Sequence, residues 1–334
     1  MASLFVMKHR RIQLLQGAVL HLAISAMACG RIGYELIDLQ TENIDIETAS
    51  TMDTNSDIST TSGTDSISGT DTIPSTEIST DTNTDTDTPI DTDTGTDTEE
   101  VLDTGVTWAW LAGGTFQMGS TLSGNEQPVH SVTIQAFSMA KTQTTVEQYM
   151  ACVADGSCSD PGTWSLDCYW NREGFEKHPV NCISWHMASA FCQWTGGRLP
   201  SESEWEYAAR SQGQDITYPW GDETPSCDFA VMNDGENGCG ANLPHAVCSK
   251  EAGNTDQGLC DMAGNVFDWV QDGWHSNYNG APTDGSAWEG TSKVVRGGSY
   301  LNGASDLRTA WRKHYFGPDY QNTFIGFRCA RDNP

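Results

Sequence analysis

The sequence predicts an α+β domain made mostly of turns and irregular structure. Three observations carry this. The periodic segments are short, with three candidate helices and four candidate strands over 230 residues. The chain holds 33 glycines and 12 tryptophans. Ten of its 11 cysteines lie after residue 105. A domain with so little regular structure needs staples or ions, and an even cysteine count in an exported chain favours disulfides.

Export is read from residues 1–29. Lys8, Arg10 and Arg11 form a positive region, and an apolar stretch follows from Ile12 to Met27. It ends in small residues before Cys29, the layout of a secretory signal. Gln13, Gln16 and His21 interrupt the stretch, which makes a poor membrane span. Ala26-Met27-Ala28-Cys29 resembles a bacterial lipobox, with Ala26 where Leu is usual. The expected outcome is lipidation of Cys29 and an address in the bacterial cell envelope. A plainly cleaved secreted protein and an uncleaved anchor are the alternatives.

Residues 30–104 read as an acidic spacer. Residues 35–104 hold 19 acids and no Lys or Arg, and over 80–100 Asp and Thr nearly alternate. Such a stretch buries too little to offset chain entropy. A weak calcium-binding tract is the sharper alternative, but the glycines needed for repeated turns are sparse. Residues 105–334 are the folding body, with 13 basic and 26 acidic residues. That balance excludes a nucleic-acid binder that works by neutralising phosphates.

In the body, short strands are expected at Thr115–Met118, Ser131–Phe137, Lys293–Arg296 and Gly326–Ala330. A helix over Thr145–Val153 follows Thr144 as a candidate cap, and another over Ser184–Trp194 ends before Gly196-Gly197. A third, over Ser201–Arg210, opens with the capping-box spacing of Ser201 and Glu204. The cysteine spacings suggest four local staples: Cys152–Cys158, Cys168–Cys182, Cys227–Cys239 and Cys248–Cys260. That leaves Cys192 with Cys329, although spacing alone does not fix connectivity. Such a bridge closes a loop of about 138 residues, on the order of 4–5 kcal/mol in the chain-entropy model. No C-x-x-C pair occurs, which argues against structural zinc.

An ordered set of phrases is specific. It runs through Gly114-Thr115-Phe116-Gln117-Met118-Gly119, His178-Pro179-Val180 and Gly197-Arg198-Leu199-Pro200-Ser201-Glu202-Ser203-Glu204-Trp205-Glu206-Tyr207. It continues with Asp261-Met262-Ala263-Gly264-Asn265-Val266-Phe267-Asp268-Trp269, Arg296-Gly297-Gly298-Ser299-Tyr300 and Gly326-Phe327-Arg328-Cys329. Together they resemble the formylglycine-generating enzyme (sulfatase-modifying factor) family, over about residues 107–332. The resemblance implies a loop-rich fold related to C-type lectins. It also implies a disulfide from the helix holding Cys192 to Cys329.

The resemblance further implies structural calcium, held by an Asn or Asp side chain, two carbonyls and a Glu. The matching residues are Asp261, Gly264, Val266 and Asp268, with Asp268 a shorter arm than Glu. A second calcium position near Asp228–Gly240 has Val231 where Asn is expected. True formylglycine-generating enzymes bind Cu(I) through two thiolates after R-G-G-S-[FY]. Here those positions hold Asn302 and Leu307, so copper chemistry is not expected. No catalytic residues are assigned.

Iron-dependent relatives take histidines from an additional helical domain, where this chain has the acidic tract. The body histidines His130, His178, His186, His245, His275 and His314 show no i, i+4 pair, and no G-x-S-x-G occurs. Variable receptors of the same fold bind ligands at the C-terminal region. The matching surface here carries Tyr300, Asn302, Trp311, Tyr315, Tyr320 and Asn322, with His314 and Phe316 beside them. The expected function is a non-catalytic binding module for a protein or glycan ligand. An oxidoreductase with an altered site is the alternative.

Overall fold

The computed structural model describes residues 103–236, 238–315 and 317–333. The leader, Cys29, the acidic tract up to residue 102 and Phe316 lie outside the described residues. Strands β1 (Trp108–Leu111), β2 (Gly114–Met118), β3 (His130–Ile134) and β4 (Phe137–Ala140) come first. Helices α1 (Val146–Asp155), α2 (Trp185–Trp194) and α3 (Glu202–Ala209) follow. The chain closes with β5 (Phe267–Gly273), β6 (Lys293–Arg296), β7 (Arg312–Tyr315), β8 (Ile325–Phe327) and β9 (Ala330–Asp332). The strands form a β1-β4-β9 sheet, a β2-β3 hairpin and a β7-β6-β5-β8 sheet in which β5 and β8 run parallel. Among the described residues no helix is long and apolar enough to cross a membrane.

The helix starts follow local chemistry. Ser184 and Ser201 cap α2 and α3, and Glu204 completes a capping box. The first helix starts one residue later than the sequence suggests. Its cap is Thr145, boxed with Gln148, and it ends at Gly156 in the left-handed region. Thr144 cannot serve, because its main chain is paired with Phe327 and Val180.

Two expected strands divide. Ser131–Phe137 breaks after Ile134, and Phe137 opens β4, which pairs with β1 and β9. Gly326–Ala330 breaks at Arg328 and Cys329, so that β8 joins β5 while β9 joins β4. Strands β1, β5 and β7 were not expected. In β5 six of seven residues are buried, so no alternation of apolar and polar residues marks it.

The five disulfides are Cys152–Cys158, Cys168–Cys182, Cys192–Cys329, Cys227–Cys239 and Cys248–Cys260. Cys192–Cys329 ties α2 to the break between β8 and β9 inside an apolar cluster with Tyr149, Phe191, Trp269 and Phe327. A second cluster lies under β1 to β4 and includes Leu111, Val132, Met139 and Trp205.

Between the sheets runs α3, all eight residues of which are buried. Its inner carboxylates are paired. Glu202 takes the Arg312 guanidinium at 2.6 and 2.7 Å, and Glu206 takes Arg296 at 2.6 Å and Arg210 at 2.9 Å. Arg296 also lies over the Trp205 ring and Arg312 over Tyr278. Asp272 on β5 accepts the main-chain N–H of Glu202 at 2.7 Å and of Trp288 at 2.8 Å, fixing the start of α3 to a loop.

Burial, with the nearby Glu202 charge, pushes the Asp272 carboxyl up to about 7. Its unfolded value is about 3.9. The native state therefore binds the extra proton, and this group's contribution to stability falls as pH rises from about 4 to about 7. Melting of wild type and Asp272→Asn at pH 5 and pH 8 tests this. The wild type should lose roughly 2–3 kcal/mol more than the variant across that range, at about 2–4 °C per kcal/mol. A pH-independent difference between the two would contradict the assignment.

Candidate functional site

The turn between Cys260 and Phe267 is built from unusual backbone. Asp261, Gly264 and Asn265 all have positive φ, of 52°, 82° and 61°. Gly264 is required here, since a β-carbon would come within 2.4 Å of the Val231 carbonyl. The turn is stitched on several sides. Gly264 donates to Gly297 O, Asn265 donates to Val231 O, and the Asn265 side chain bonds both ways with the His245 main chain. Val231 is fully buried and supplies a carbonyl here, while its side chain stands where the second calcium position expects an Asn.

Val266 and Asp268 present the expected kinds of oxygen to one point, while Asp261 brings its main-chain oxygen there instead of its carboxylate. Val266 O, Asp268 Oδ1 and Asp261 O lie 2.6, 3.2 and 3.4 Å from Gln143 Nε2. Gly264 lies within the same turn. Asp268 Oδ2 accepts from Arg328 Nε at 2.7 Å and Trp205 Nε1 at 2.9 Å. Asp261 contributes its main-chain oxygen to that point, while its carboxylate accepts the Cys248 N–H at 2.7 Å. Burial pushes the Asp261 carboxyl up to about 6, with the Asp268 charge adding to the rise and the Cys248 N–H and Arg328 opposing it. These are hard oxygen donors in a tight, partly main-chain turn, which suits calcium. Among the described residues no three His, Cys, Asp or Glu side chains group to hold a metal, so main-chain carbonyls must supply part of any set.

The positions matching the copper thiolates are closed. Asn302 Oδ1 accepts from Ser299 Oγ at 2.7 Å and from Ser299 N at 3.1 Å, while Asn302 Nδ2 donates to Asp306 at 2.9 Å. Leu307 is fully buried in a small apolar cluster with Ala230, Met232 and Ala263. One position is thus a polar staple and the other a core side chain.

The expected ligand surface is partly realised. Tyr300 is not on it: the side chain is buried, with its hydroxyl 3.4 Å from Thr323 Oγ1. Asn302 is engaged as described. Trp311 is half-buried and stacks on Phe267 at 5.8 Å. Tyr315 and Tyr320 stack at 5.2 Å, and Asn322 Nδ2 donates to the Tyr320 hydroxyl at 2.8 Å. His314 stacks on Trp274.

Among the exposed apolar residues, to which the sequence gives no role, two lie close together. Trp164 is 59% and Leu166 86% exposed, on a loop pinned by the Cys168–Cys182 bridge. Gly162 brings this loop against the Gln321 side chain. Asn181 ties the same loop to residue 323, donating to the carbonyls of Asp167 and Thr323. The available signal was a Trp and a Leu between Cys158 and Cys168, in a stretch with no helix or strand period. Elsewhere, a cleft of about 580 Å³ is lined by residues that include Ser120, Leu122, Arg210 and Arg308. Its two arginines already serve Glu206 and Glu126.

The profile of the sulfatase-modifying factor enzyme 1-like domain matches residues 95–333. The formylglycine-generating enzyme of Streptomyces coelicolor is 32% identical over 282 residues, covering 66% of this chain and 88% of that protein. Serine/threonine-protein kinase Pkn1 of Chlamydia trachomatis is 33% identical over 244 residues, covering 66% of this chain but only 38% of the kinase. Among solved structures, PvdO from Pseudomonas aeruginosa superposes with a TM-score of 0.60 at 27% identity, over 70% of this chain and 97% of PvdO.

The closed positions give a stability test. Leu307→Ala should cost about 2–5 kcal/mol, the range for a core leucine. Asn302→Ala should cost about 1–3 kcal/mol, because the buried Ser299 N–H and hydroxyl lose their acceptor. Denaturant unfolding reads both. A neutral Leu307→Ala would show that the side chain does not fill the core.

Proposed function

The chain belongs to the sulfatase-modifying factor enzyme 1-like domain family, and we propose that it uses this fold as an exported, non-catalytic binding module. One observation carries the reading. At the two positions where the resemblance places copper thiolates, Asn302 is spent on Ser299 and Asp306, and Leu307 is buried. Neither side chain is a soft ligand for Cu(I). A fold hosts many functions, so the chemistry of the site outweighs kinship with enzymes. The names of relatives such as the Streptomyces enzyme keep an oxidoreductase with other ligands as the second reading.

Calcium is the proposed structural ion. The main-chain oxygens of Asp261 and Val266 with the Asp268 carboxylate would hold it, with Gly264 in the same turn, and it would supply rigidity to the turn before β5 rather than chemistry. The ligand is a protein or glycan. Trp311, Tyr315, Tyr320 and Asn322 would meet it, since rigid aromatics give contact area at low entropic cost. Tyr300 would support this surface from below.

Five disulfides support an oxidising address. Lipidation at Cys29 would then tether the protein to the bacterial envelope. Fractionation checks this part: Cys29→Ser should move the protein from the membrane to the soluble fraction and abolish incorporation of labelled fatty acid.

The deciding experiment for function is oxygen uptake by the purified, Cu(I)-treated protein with a cysteine-containing peptide. The expected result is no stoichiometric copper and no uptake above the metal-free control. Tight copper binding with peptide oxidation would replace the binding-module reading with the enzymatic one.

A further inference from the structure

Gln143 lies between β4 and α1, and the sequence gives it no role. Its side chain is fully buried. Its Nε2 faces three oxygens, Val266 O at 2.6 Å, Asp268 Oδ1 at 3.2 Å and Asp261 O at 3.4 Å. A carboxamide nitrogen carries only two hydrogens, so three acceptors share two donors. At its other end, Oε1 is buried and has no hydrogen-bond partner. Buried polar atoms are rarely left so. Exchanging the two ends of the amide is no remedy, because Oε1 would then face three oxygens.

The oversubscribed nitrogen marks a point that its surroundings equip for a cation. Two main-chain carbonyls and a carboxylate oxygen converge there from one turn. Arg328 does not fill the point. Its Nε serves Asp268 Oδ2, and its Nη2 serves the carbonyls of Cys260 and Asp261 at 2.8 and 3.1 Å. The two hydrogens of a neutral amide cannot fully meet three oxygens at once, whereas a divalent cation takes several oxygen ligands together.

We propose that the Gln143 carboxamide is a built-in plug, holding the 261–268 turn when no ion is bound and competing with the cation for Val266 O and Asp268 Oδ1. The proposal rests on the calcium reading given above. It makes the turn folded in the absence of the ion and lowers calcium affinity, because the ion must displace bonds already made. The shorter arm of Asp268 fits the same picture, since its Oδ1 meets the amide and its Oδ2 is held by Arg328.

The test is calcium titration calorimetry on chelator-stripped full-length protein, with thermal melting in chelator and in excess calcium. Wild type should bind one calcium weakly and gain little in melting temperature. Gln143→Met keeps the volume and removes the donor. It should melt lower in chelator and bind calcium about tenfold tighter, equivalent to ~1.4 kcal/mol. If Gln143→Met does not fold in chelator, Gln143→Glu decides: its melting should be recovered by calcium, and no recovery overturns the plug. If wild type takes up one calcium and Gln143→Met binds no tighter, the plug is wrong while the calcium reading stands. If neither protein takes up calcium, both fall.

Discussion

The structure depends on burying two carboxylates of one short helix. Glu202 and Glu206 sit one turn apart on α3, which is buried on every side. A buried charge left alone costs several kcal/mol, so each must be met by a cation held in place. The cations come from far along the chain: Arg296 and Arg312 lie about 90 and 110 residues away. Strands β6 and β7 are therefore positioned by charge pairing as well as by their ladder. The stretch from residue 297 to 311, which contains Asn302 and Leu307, is strung between these two arginines. Neither Asn302 nor Leu307 pairs with the two carboxylates, so the side chains at those positions and the frame that holds the stretch are separable.

The same principle recurs at smaller scale. Asp268 is balanced by Arg328, which also caps main-chain carbonyls of the adjoining turn. Glu126 takes both guanidinium nitrogens of Arg308, and Glu204 takes those of Arg198. With so few regular elements, these pairs and the disulfides do the work that long helices and strands do elsewhere. Their cost is specificity of partner. Removing one member of a buried pair is worse than removing both.

What could be read from the sequence was local. Ser184, Ser201 and Glu204 announce helix starts because capping acts over three residues. The site turn was legible as a phrase, from Asp261 to Asp268, and the absence of cysteine at 302 and 307 was legible directly. What failed was non-local. Thr144 looks like a cap until Phe327 and Val180 claim its main chain. Strand β5 is buried on both faces and shows no alternation. Tyr300 looks like a surface aromatic, and only the packing against Thr323 places it inside. Gln143 was silent because its meaning lies in three oxygens more than 115 residues away.

The β1-β4-β9 sheet has a consequence for how this domain can be used. Strands β1 and β9 flank β4, each antiparallel to it, so the first and last strands of the body run side by side with one strand between them. Trp108 lies across from Ala140, and Asp332 lies across from Phe137. At usual strand spacings the two ends are separated by roughly 10 Å across the sheet and roughly 10 Å along it. A domain whose entry and exit meet in this way can be spliced into a host loop, or strung in tandem, with little spacer and little distortion of either neighbour. It can also be closed into a circle by a short peptide and reopened elsewhere. The exposed loop carrying Trp164 and Leu166 is one place where new ends would leave the sheets intact.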